Sequence, residues 1–90
     1  MDDDDLDEIL RSLAHPARRT FLRACLTKAH AAGDLSALSD LSLATVSEHL
    51  KVLRKTGLLQ LDRRGRFWMY RTDAAMLEKA ASAIRKLGDG

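Results

Sequence analysis

The stretch LSLATVSEHLKVLRKTGLL, residues 41–59, decides the fold of the chain. Its apolar residues at helical spacing are Val46, Leu50 and Leu53. Ser42 stands just before this pattern, and a serine hydroxyl at such a position can accept a backbone N–H of the first turn. Gly57 follows, where glycine commonly ends a helix. We therefore predict a helix over residues 43–56 with one apolar side.

The opposite side of this predicted helix is mostly short and polar. It carries Leu43, Ala44, Thr45, Ser47, Glu48 and Lys51. Short side chains let a helix approach base edges in the major groove, where Glu48 can accept from a cytosine amino group and Lys51 can reach guanine or phosphate. Arg54 and Lys55 lie further along and suit phosphates. An ordinary amphipathic helix with a solvated side fits the same pattern, and the helix alone does not decide between the two interpretations.

A basic hairpin follows the helix. Beyond Gly57 the apolar residues alternate, and residues 66–72 form a second run of strand-favouring side chains around an Arg64-Gly65 turn. That second run contains Phe67, Trp68, Met69 and Tyr70, and the tip carries Arg63, Arg64 and Arg66. Guanidinium groups at such a tip suit phosphates or a narrow minor groove, although a solvated loop also carries arginine. Helix and hairpin together favour one element that reads a groove beside another that contacts the neighbouring backbone.

Helical spacing predicts four further helices around these elements. They span about residues 6–14, Pro16 to near Gly33, about residues 35–40, and a last segment capped by Asp73. The order of four helices, a β-hairpin and a fifth helix is a mainly α (α+β) fold, which fits a winged helix-turn-helix. Residues 6–90 then form one domain, and residues 1–5 form an acidic, disordered tail.

The charges are divided unevenly along the chain. Of the 13 acidic residues, six lie within residues 2–8, although the formal net charge of the 90 residues is only +2. Residues 51–71 hold seven basic side chains against Asp62 alone, a local charge of +6 (seven minus one) that attracts a polyanion such as nucleic acid. The acidic start can compete with DNA for this basic surface, or it can favour the N-terminus of the first helix.

The composition narrows the cellular setting. No stretch approaches the roughly 18 consecutive apolar residues of a membrane span, and the acidic N-terminus is unlike the positive start of a secretory signal. A single cysteine, Cys25, cannot form an intrachain disulfide. We therefore expect a cytoplasmic protein without membrane contact.

At this point the sequence resembles the ArsR-type winged-helix repressors of prokaryotes. The resemblance rests on LAHPARRTFL (13–22), LSLATVSEHLKVLRKTGLL (41–59) and GRFWMYR (65–71), in that order. It implies a homodimeric repressor that binds an inverted-repeat operator in double-stranded DNA through helix 43–56 and the wing 62–67. The residues that we expect near DNA are Ser42, Leu43, Ala44, Thr45, Ser47, Glu48, His49, Lys51, Arg54, Lys55, Arg63, Arg64 and Arg66.

The resemblance also implies that the first and last helices form the dimer interface. The apolar residues available for it are Leu6, Ile9, Leu10, Leu77, Ala80, Ala81, Ile84 and Leu87. Packing into the core of a single protomer is the alternative role for these apolar residues. We favour a dimer because a short last helix leaves little other surface to cover them.

The sequence departs from the metal-sensing members of that family. Their third-helix site uses cysteines, whereas this region has Ser36 and Ser39; their last-helix site needs histidine, and none follows Asp73. We interpret His15 as a cap or hinge, His49 as partly packed and His30 as exposed, while a site on His30 and Asp34 stays open. We therefore predict no metal and no cofactor, and any effector is unknown.

Two other classes of function are alternatives to DNA binding. A winged-helix module that binds another protein would expose Trp68 and Tyr70 as anchors. An enzyme is disfavoured because the chain has no glycine-rich phosphate loop, no nucleophile beside a base and no evident carboxylate pair. The leading hypothesis is a sequence-specific DNA-binding transcriptional regulator.

Overall fold

A computed structural model describes residues 1–89 of the chain as helices around a small sheet. In chain order the elements are α1 (Asp3–Leu13), α2 (Pro16–Thr27), α3 (Ala32–Ser39), α4 (Leu43–Lys55), β1 (Leu59–Arg64), β2 (Phe67–Thr72) and α5 (Ala74–Leu87). The two strands pair antiparallel. This is the winged helix-turn-helix order that the sequence predicts, so the predicted fold class is confirmed.

The hydrophobic core collects one side of every helix and the base of the hairpin. Its buried members are Ile9, Phe21, Leu22, Cys25, Leu35, Val46, Leu50, Leu53, Leu58, Leu59, Tyr70 and Ala80. Each large apolar side chain removed from water contributes about 1.5–3 kcal/mol. The three predicted core positions of α4 are all fully buried, which fixes the side of that helix that is left for solvent.

Local signals fix both ends of α4 where the sequence places them. The Ser42 hydroxyl accepts the Thr45 backbone N–H at 3.2 Å, as expected of an N-cap. Gly57 ends the helix with a φ of +81°, a conformation that other residues rarely adopt. A side chain there would also meet Met76, whose Cε would lie 3.2 Å from the added Cβ. The Asp73 cap of α5 is likewise confirmed, because its carboxylate accepts the Met76 backbone N–H.

The hairpin is anchored at its base and free at its tip. The register pairs Leu59 with Thr72 and Arg64 with Phe67, so residues 65–66 form the turn, one position later than predicted. The buried Thr72 hydroxyl donates to the Leu22 carbonyl at 2.8 Å and so joins β2 to α2.

The junction between α2 and α3 differs from the prediction. Helix α2 ends at Thr27 rather than near Gly33, and α3 begins at Ala32 rather than at residue 35. Between them His30 pairs with Tyr70: the His30 N–H donates to the Tyr70 carbonyl at 3.0 Å, and the Tyr70 N–H donates back at 2.8 Å. This pairing with a strand 40 positions later, 70 minus 30, overrides the local helical pattern. His30 is therefore half-buried, not exposed as predicted.

The acidic start is helical from Asp3. The sequence places the first helix at residue 6 and a disordered tail over residues 1–5, whereas Asp2 caps α1 and accepts the Asp5 backbone N–H at 2.8 Å. Carboxylates in the first turn are favourable because the N-terminus of a helix carries partial positive charge. The helix therefore begins three residues earlier than predicted, at Asp3 instead of residue 6.

None of the helices formed by residues 1–89 has both the length and the apolar character to cross a membrane.

Two leucines of α3 test the assignment of the core. Leu35 is fully buried, whereas Leu38 on the same helix is 60% exposed. Leu35→Ala is expected to lower the free energy of unfolding by about 2–5 kcal/mol, because it leaves a cavity in the core. Leu38→Ala makes the same chemical change at the surface and is expected to stay within about 0.5 kcal/mol of the parent. Urea unfolding at one fixed protein concentration measures both, and similar losses would contradict this core.

Candidate nucleic-acid interface

The turn between α3 and α4 is held by serine hydroxyls. The Ser36 hydroxyl donates to the Leu41 carbonyl at 2.6 Å, and the Ser39 hydroxyl donates to the Leu35 carbonyl at 2.8 Å. Asp40 adopts a left-handed conformation, with a φ of 58°, which reverses the chain direction. The Ser36 hydroxyl therefore ties α3 to the turn that leads into α4, while the Ser39 hydroxyl bonds back within the last turn of α3.

The side of α4 away from the core is open to solvent along its whole length. The exposed predicted DNA contacts on and beside this helix are Ser42, Leu43, Ala44, Thr45, Ser47, Glu48, Lys51, Arg54 and Lys55. We call this surface the α4 face. The Ser42 hydroxyl also donates to the Thr45 hydroxyl at 2.9 Å, so it is engaged within the cap at the leading end of the α4 face.

His49 does not share the orientation of the α4 face. It is half-buried, and its Nδ1 accepts a hydrogen bond from Nε of Arg18 on α2 at 3.1 Å. Its ring also lies near those of His15 and Phe21, with centroids 5.9 Å and 6.3 Å away. Burial first, then the charges of Arg18 and of His15, lower the pKa of His49. His49 was predicted to lie near DNA; the structure turns it towards α2.

Sequence reasoning missed Arg18. Its partner lies 31 positions away, so no local pattern indicates the pair. The His15-Pro16 start of α2 is where the prediction places it, but the His15 side chain makes no capping hydrogen bond there.

The three arginines at the wing tip have different surroundings. The guanidinium of Arg63 lies over the Trp68 ring, 4.5 Å from its centroid. Arg64 lies 4.0 Å from an Asp62 carboxylate oxygen, and Arg66 has no ion-pair partner among residues 1–89. All three are exposed. Arg66 thus presents the least compensated charge of the tip.

A ladder of polar side chains runs along the outer side of the hairpin. Arg71 contacts Asp62 at 3.4 Å and donates to the Gln60 side chain at 3.1 Å; Gln60 in turn donates to Asp73 at 2.8 Å. The ladder links the strands to the cap of α5. These contacts are exposed, and each contributes little to stability, but together they restrain the direction of the wing.

Lys55 lies at the far end of the α4 face, beside the acidic part of α1. It lines a cleft of about 530 Å³ together with Asp5 and Glu8. The two carboxylates share this cleft with Lys55 but form no ion pair with it among residues 1–89.

The residues expected at a dimer interface fall into two groups. Ile9 and Ala80 are each only 1% exposed and belong to the core of the protomer, which corrects the prediction for these two. They are buried because α1 and α5 pack on the other helices before any partner is added. The residues that remain at least partly exposed are Leu6, Leu10, Leu77, Ala81, Ile84 and Leu87.

Side chains that might bind metal are dispersed. Among the residues that the structure describes, no three of the types His, Cys, Asp and Glu come together as a metal site. His30 Nδ1 lies 4.0 Å from the Asp34 carboxylate, and these two have no third ligand. Burial raises the pKa of the Cys25 thiol to about 11, so that thiol is protonated and unreactive at neutral pH.

The comparisons with known proteins agree with this geometry. A family model described as a helix-turn-helix domain matches residues 13–62, which is 50 of the 90 residues. No curated protein matches the chain significantly. Among solved structures, an ArsR-like transcriptional regulator from Rhodococcus sp. RHA1 superimposes with a TM-score of 0.87 at 24% identity, covering 96% of this chain and 81% of its own.

Two mycobacterial structures have the same fold. The Mycobacterium tuberculosis protein Rv0081 is 30% identical, with a TM-score of 0.71 and coverage of 92% of this chain and 85% of its own. The homodimeric winged helix-turn-helix DNA-binding domain of a possible ArsR-family regulator from Mycobacterium bovis is 22% identical, with a TM-score of 0.78 and coverage of 96% and 80%. The chain belongs to the helix-turn-helix family whose model it matches, and its fold is the winged helix-turn-helix fold of the ArsR-like and ArsR-family transcriptional regulators that it superimposes on.

The N-cap of α4 can be tested by a pair of substitutions. Ser42→Ala removes the acceptor of the Thr45 N–H and is expected to lower the free energy of unfolding by about 1 kcal/mol. Ser42→Asn restores a capping oxygen and is expected to recover most of that loss. Thermal and urea unfolding followed by circular dichroism give both values. A similar loss for alanine and asparagine would show that the cap is not the cause.

Proposed function

We propose that the protein is a homodimeric transcriptional repressor that binds an inverted-repeat operator. In this proposal α4 enters the major groove, and the wing contacts the adjoining backbone or minor groove. The observation that carries it is the α4 face, which is exposed along its length and whose last three members, Lys51, Arg54 and Lys55, begin the segment of +6 charge between residues 51 and 71. A cationic, solvent-facing helix beside a cationic loop matches the charge and the groove dimensions of a DNA duplex.

Within the α4 face we assign base contacts to its first turns and phosphate contacts to its end. Ser47 and Glu48 are short enough, and polar enough, to meet base edges, and Glu48 accepts from a cytosine or adenine amino group. Leu43 is exposed at the leading end, where an apolar side chain can contact a thymine methyl group. Lys51, Arg54 and Lys55 neutralise phosphates and fix register rather than sequence.

Two protomers are needed to bind two half-sites. The exposed apolar residues Leu10, Ile84 and Leu87 lie on α1 and α5, so one interface can cover both helices. The Mycobacterium bovis domain of the same fold is described as homodimeric, which supports this assignment. A two-fold dimer would place its recognition helices about one turn of DNA, roughly 34–36 Å, apart.

We further propose that metal binding is not the signal that releases DNA. Ser36 and Ser39 occupy the region in which metal-sensing relatives would carry thiols, and both hydroxyls are bonded to backbone carbonyls. Hydroxyls of this kind are poor ligands for zinc and related ions. A cytoplasmic location is part of the same proposal, because operator DNA is there in a prokaryote.

One observation favours a second candidate function, the binding of a partner protein through the wing. Phe67 is 68% exposed and Trp68 is 49% exposed, and aromatic side chains of this kind often anchor protein interfaces. A gel shift with pooled genomic fragments at low salt distinguishes the two. Retardation of a subset of fragments supports the repressor, and no retardation supports the interaction module.

The salt dependence of binding and two kinds of substitution test whether base contacts and phosphate contacts come from different residues. The duplex is first selected from random-sequence DNA with the parent protein. Affinity is expected to fall by on the order of 10³ or more between about 50 and about 200 mM salt. Glu48→Gln is expected to change the preferred base at one position, by about 1–3 kcal/mol. Arg66→Ala is expected to weaken every duplex alike and to reduce the salt slope by about 1 for each protomer.

Arg23→Ala is the control for the loss of charge, because Arg23 is exposed on α2, outside α4 and the wing. It should leave the salt slope nearly unchanged. If Glu48→Gln and Arg66→Ala had the same effect on sequence preference, the separation of base and phosphate contacts would be wrong.

A matched pair of leucines tests the interface. Leu10 on α1 and Leu26 on α2 are 42% and 48% exposed. Leu10→Asp would leave a carboxylate without a partner in the interface, so we expect the dimer dissociation constant to rise by about tenfold or more. Leu26→Asp should leave it unchanged. Sedimentation of both variants over a range of concentrations gives the constants, and equal effects would place the interface elsewhere.

A further inference from the structure

The cluster around His49 is the best-defined polar site outside the α4 face. Arg18 is itself held in place, because its Nη1 approaches the Ser12 carbonyl at the end of α1 at 3.5 Å while its Nε donates to His49. One guanidinium therefore joins α1, α2 and the helix that carries the proposed base contacts.

The direction of this hydrogen bond determines the protonation of His49. A guanidinium has only donors and stays charged, so His49 Nδ1 must be an acceptor and carry no proton. The proton of the neutral ring is then on Nε2. An imidazolium has donors on both nitrogens, so protonation replaces the bond to Arg18 with two positive groups facing each other across 3.1 Å.

The surroundings of His49 oppose its charged form from every side. Arg18 from α2 and His15 from the connection before α2 are the ionisable groups that face it, and Phe21 is the third neighbour. The α4 positions one turn away are Thr45, Val46, Val52 and Leu53, none of which titrates near neutral pH. No carboxylate among residues 1–89 forms an ion pair with His49. Burial, followed by the charge of Arg18 and then by the neighbouring His15, accordingly lowers the pKa of His49.

We propose that Arg18 and His49 are positioning residues for DNA recognition, whose hydrogen bond sets the orientation of α4 and is broken by protonation of His49, so that acidification weakens operator binding. This inference rests on the proposed function. Ser47 and Glu48 immediately precede His49, so a rotation or shift of the helix at His49 moves both from their base edges. A displacement of about 1 Å is enough to spoil such contacts.

The expected loss of DNA affinity on acidification is opposite to the usual effect of protonating a histidine. Protonating a histidine adds positive charge, which by itself strengthens binding to a polyanion. A loss of affinity on acidification therefore needs a group whose charged form disrupts the binding geometry.

The folding stability of the protein is also expected to fall on acidification. The pKa of His49 is lower in the folded chain than in the unfolded one, so the unfolded chain takes up this proton first as the pH falls. The contribution of neutral His49 to stability is fully present above the unfolded pKa of about 6.5. It is lost as the pH falls from there through the folded pKa.

The test compares dissociation constants for the selected duplex at about pH 7.5 and about pH 5, at constant ionic strength. The acid-to-neutral ratio is the dissociation constant at the lower pH divided by that at the higher pH. For the parent protein this ratio is expected to exceed one, by up to about tenfold for each unit by which the His49 pKa differs between free and bound protein. His49→Asn keeps an acceptor near the Nδ1 position and cannot be protonated, so its ratio should fall to one or below. His30→Asn makes the same change outside the cluster and should retain the ratio of the parent.

A ratio of one or less in the parent, or an unchanged ratio in His49→Asn, overturns the inference. Absence of any specific binding at about pH 7.5 instead refutes the proposed function. In that case the positioning role is decided by NMR of the DNA-free parent protein, which needs no variant. The backbone amides of Ser47, Glu48 and Lys51 should then shift with the titration midpoint of the His49 ring; shifts without that midpoint reject the role.

Discussion

The burial of one edge of α4 is the constraint on which the rest of the structure depends. Val46, Leu50 and Leu53 are each at most 1% exposed, and together they place the helix on the core in one orientation. A helix has two sides, so fixing the buried one also fixes which residues face solvent. The α4 face is therefore a consequence of hydrophobic packing, and its chemistry can vary with little effect on the fold.

The basic side chains of α4 and the wing differ in how far neighbouring groups compensate their charge. At the wing tip, Arg63 stacks on Trp68, Arg64 lies beside Asp62, and Arg66 has no such neighbour. At the other end of α4, the carboxylates of Asp5 and Glu8 share a cleft with Lys55. Counting basic residues over 51–71 thus overstates the charge available to a ligand. The exposed basic positions of this segment without such a neighbour among residues 1–89 are Lys51 and Arg54 on α4 and Arg66 at the tip.

Much of the fold follows from the sequence because the decisive signals are local. The Ser42 cap, the Gly57 stop and the change of periodicity after it concern residues within one or two turns of each other. The ends of α2 and α3 could not be predicted in this way, because the His30 pairing with Tyr70 depends on a strand far along the chain. The same holds at the candidate site: exposure of the α4 face follows from its period, whereas the Arg18–His49 pair needs the tertiary structure.

The anchoring of β2 has a consequence for what constitutes the smallest stable unit. The segment matched by the helix-turn-helix model, residues 13–62, stops before β2. Yet Tyr70 supplies both backbone partners of His30, and Thr72 supplies the buried hydroxyl bonded to Leu22. A fragment limited to residues 13–62 would lack these hydrogen bonds at the α2–α3 junction, and the core beneath the junction would be exposed. The segment that the sequence motif covers is thus shorter than the cooperative folding unit, which also requires β2.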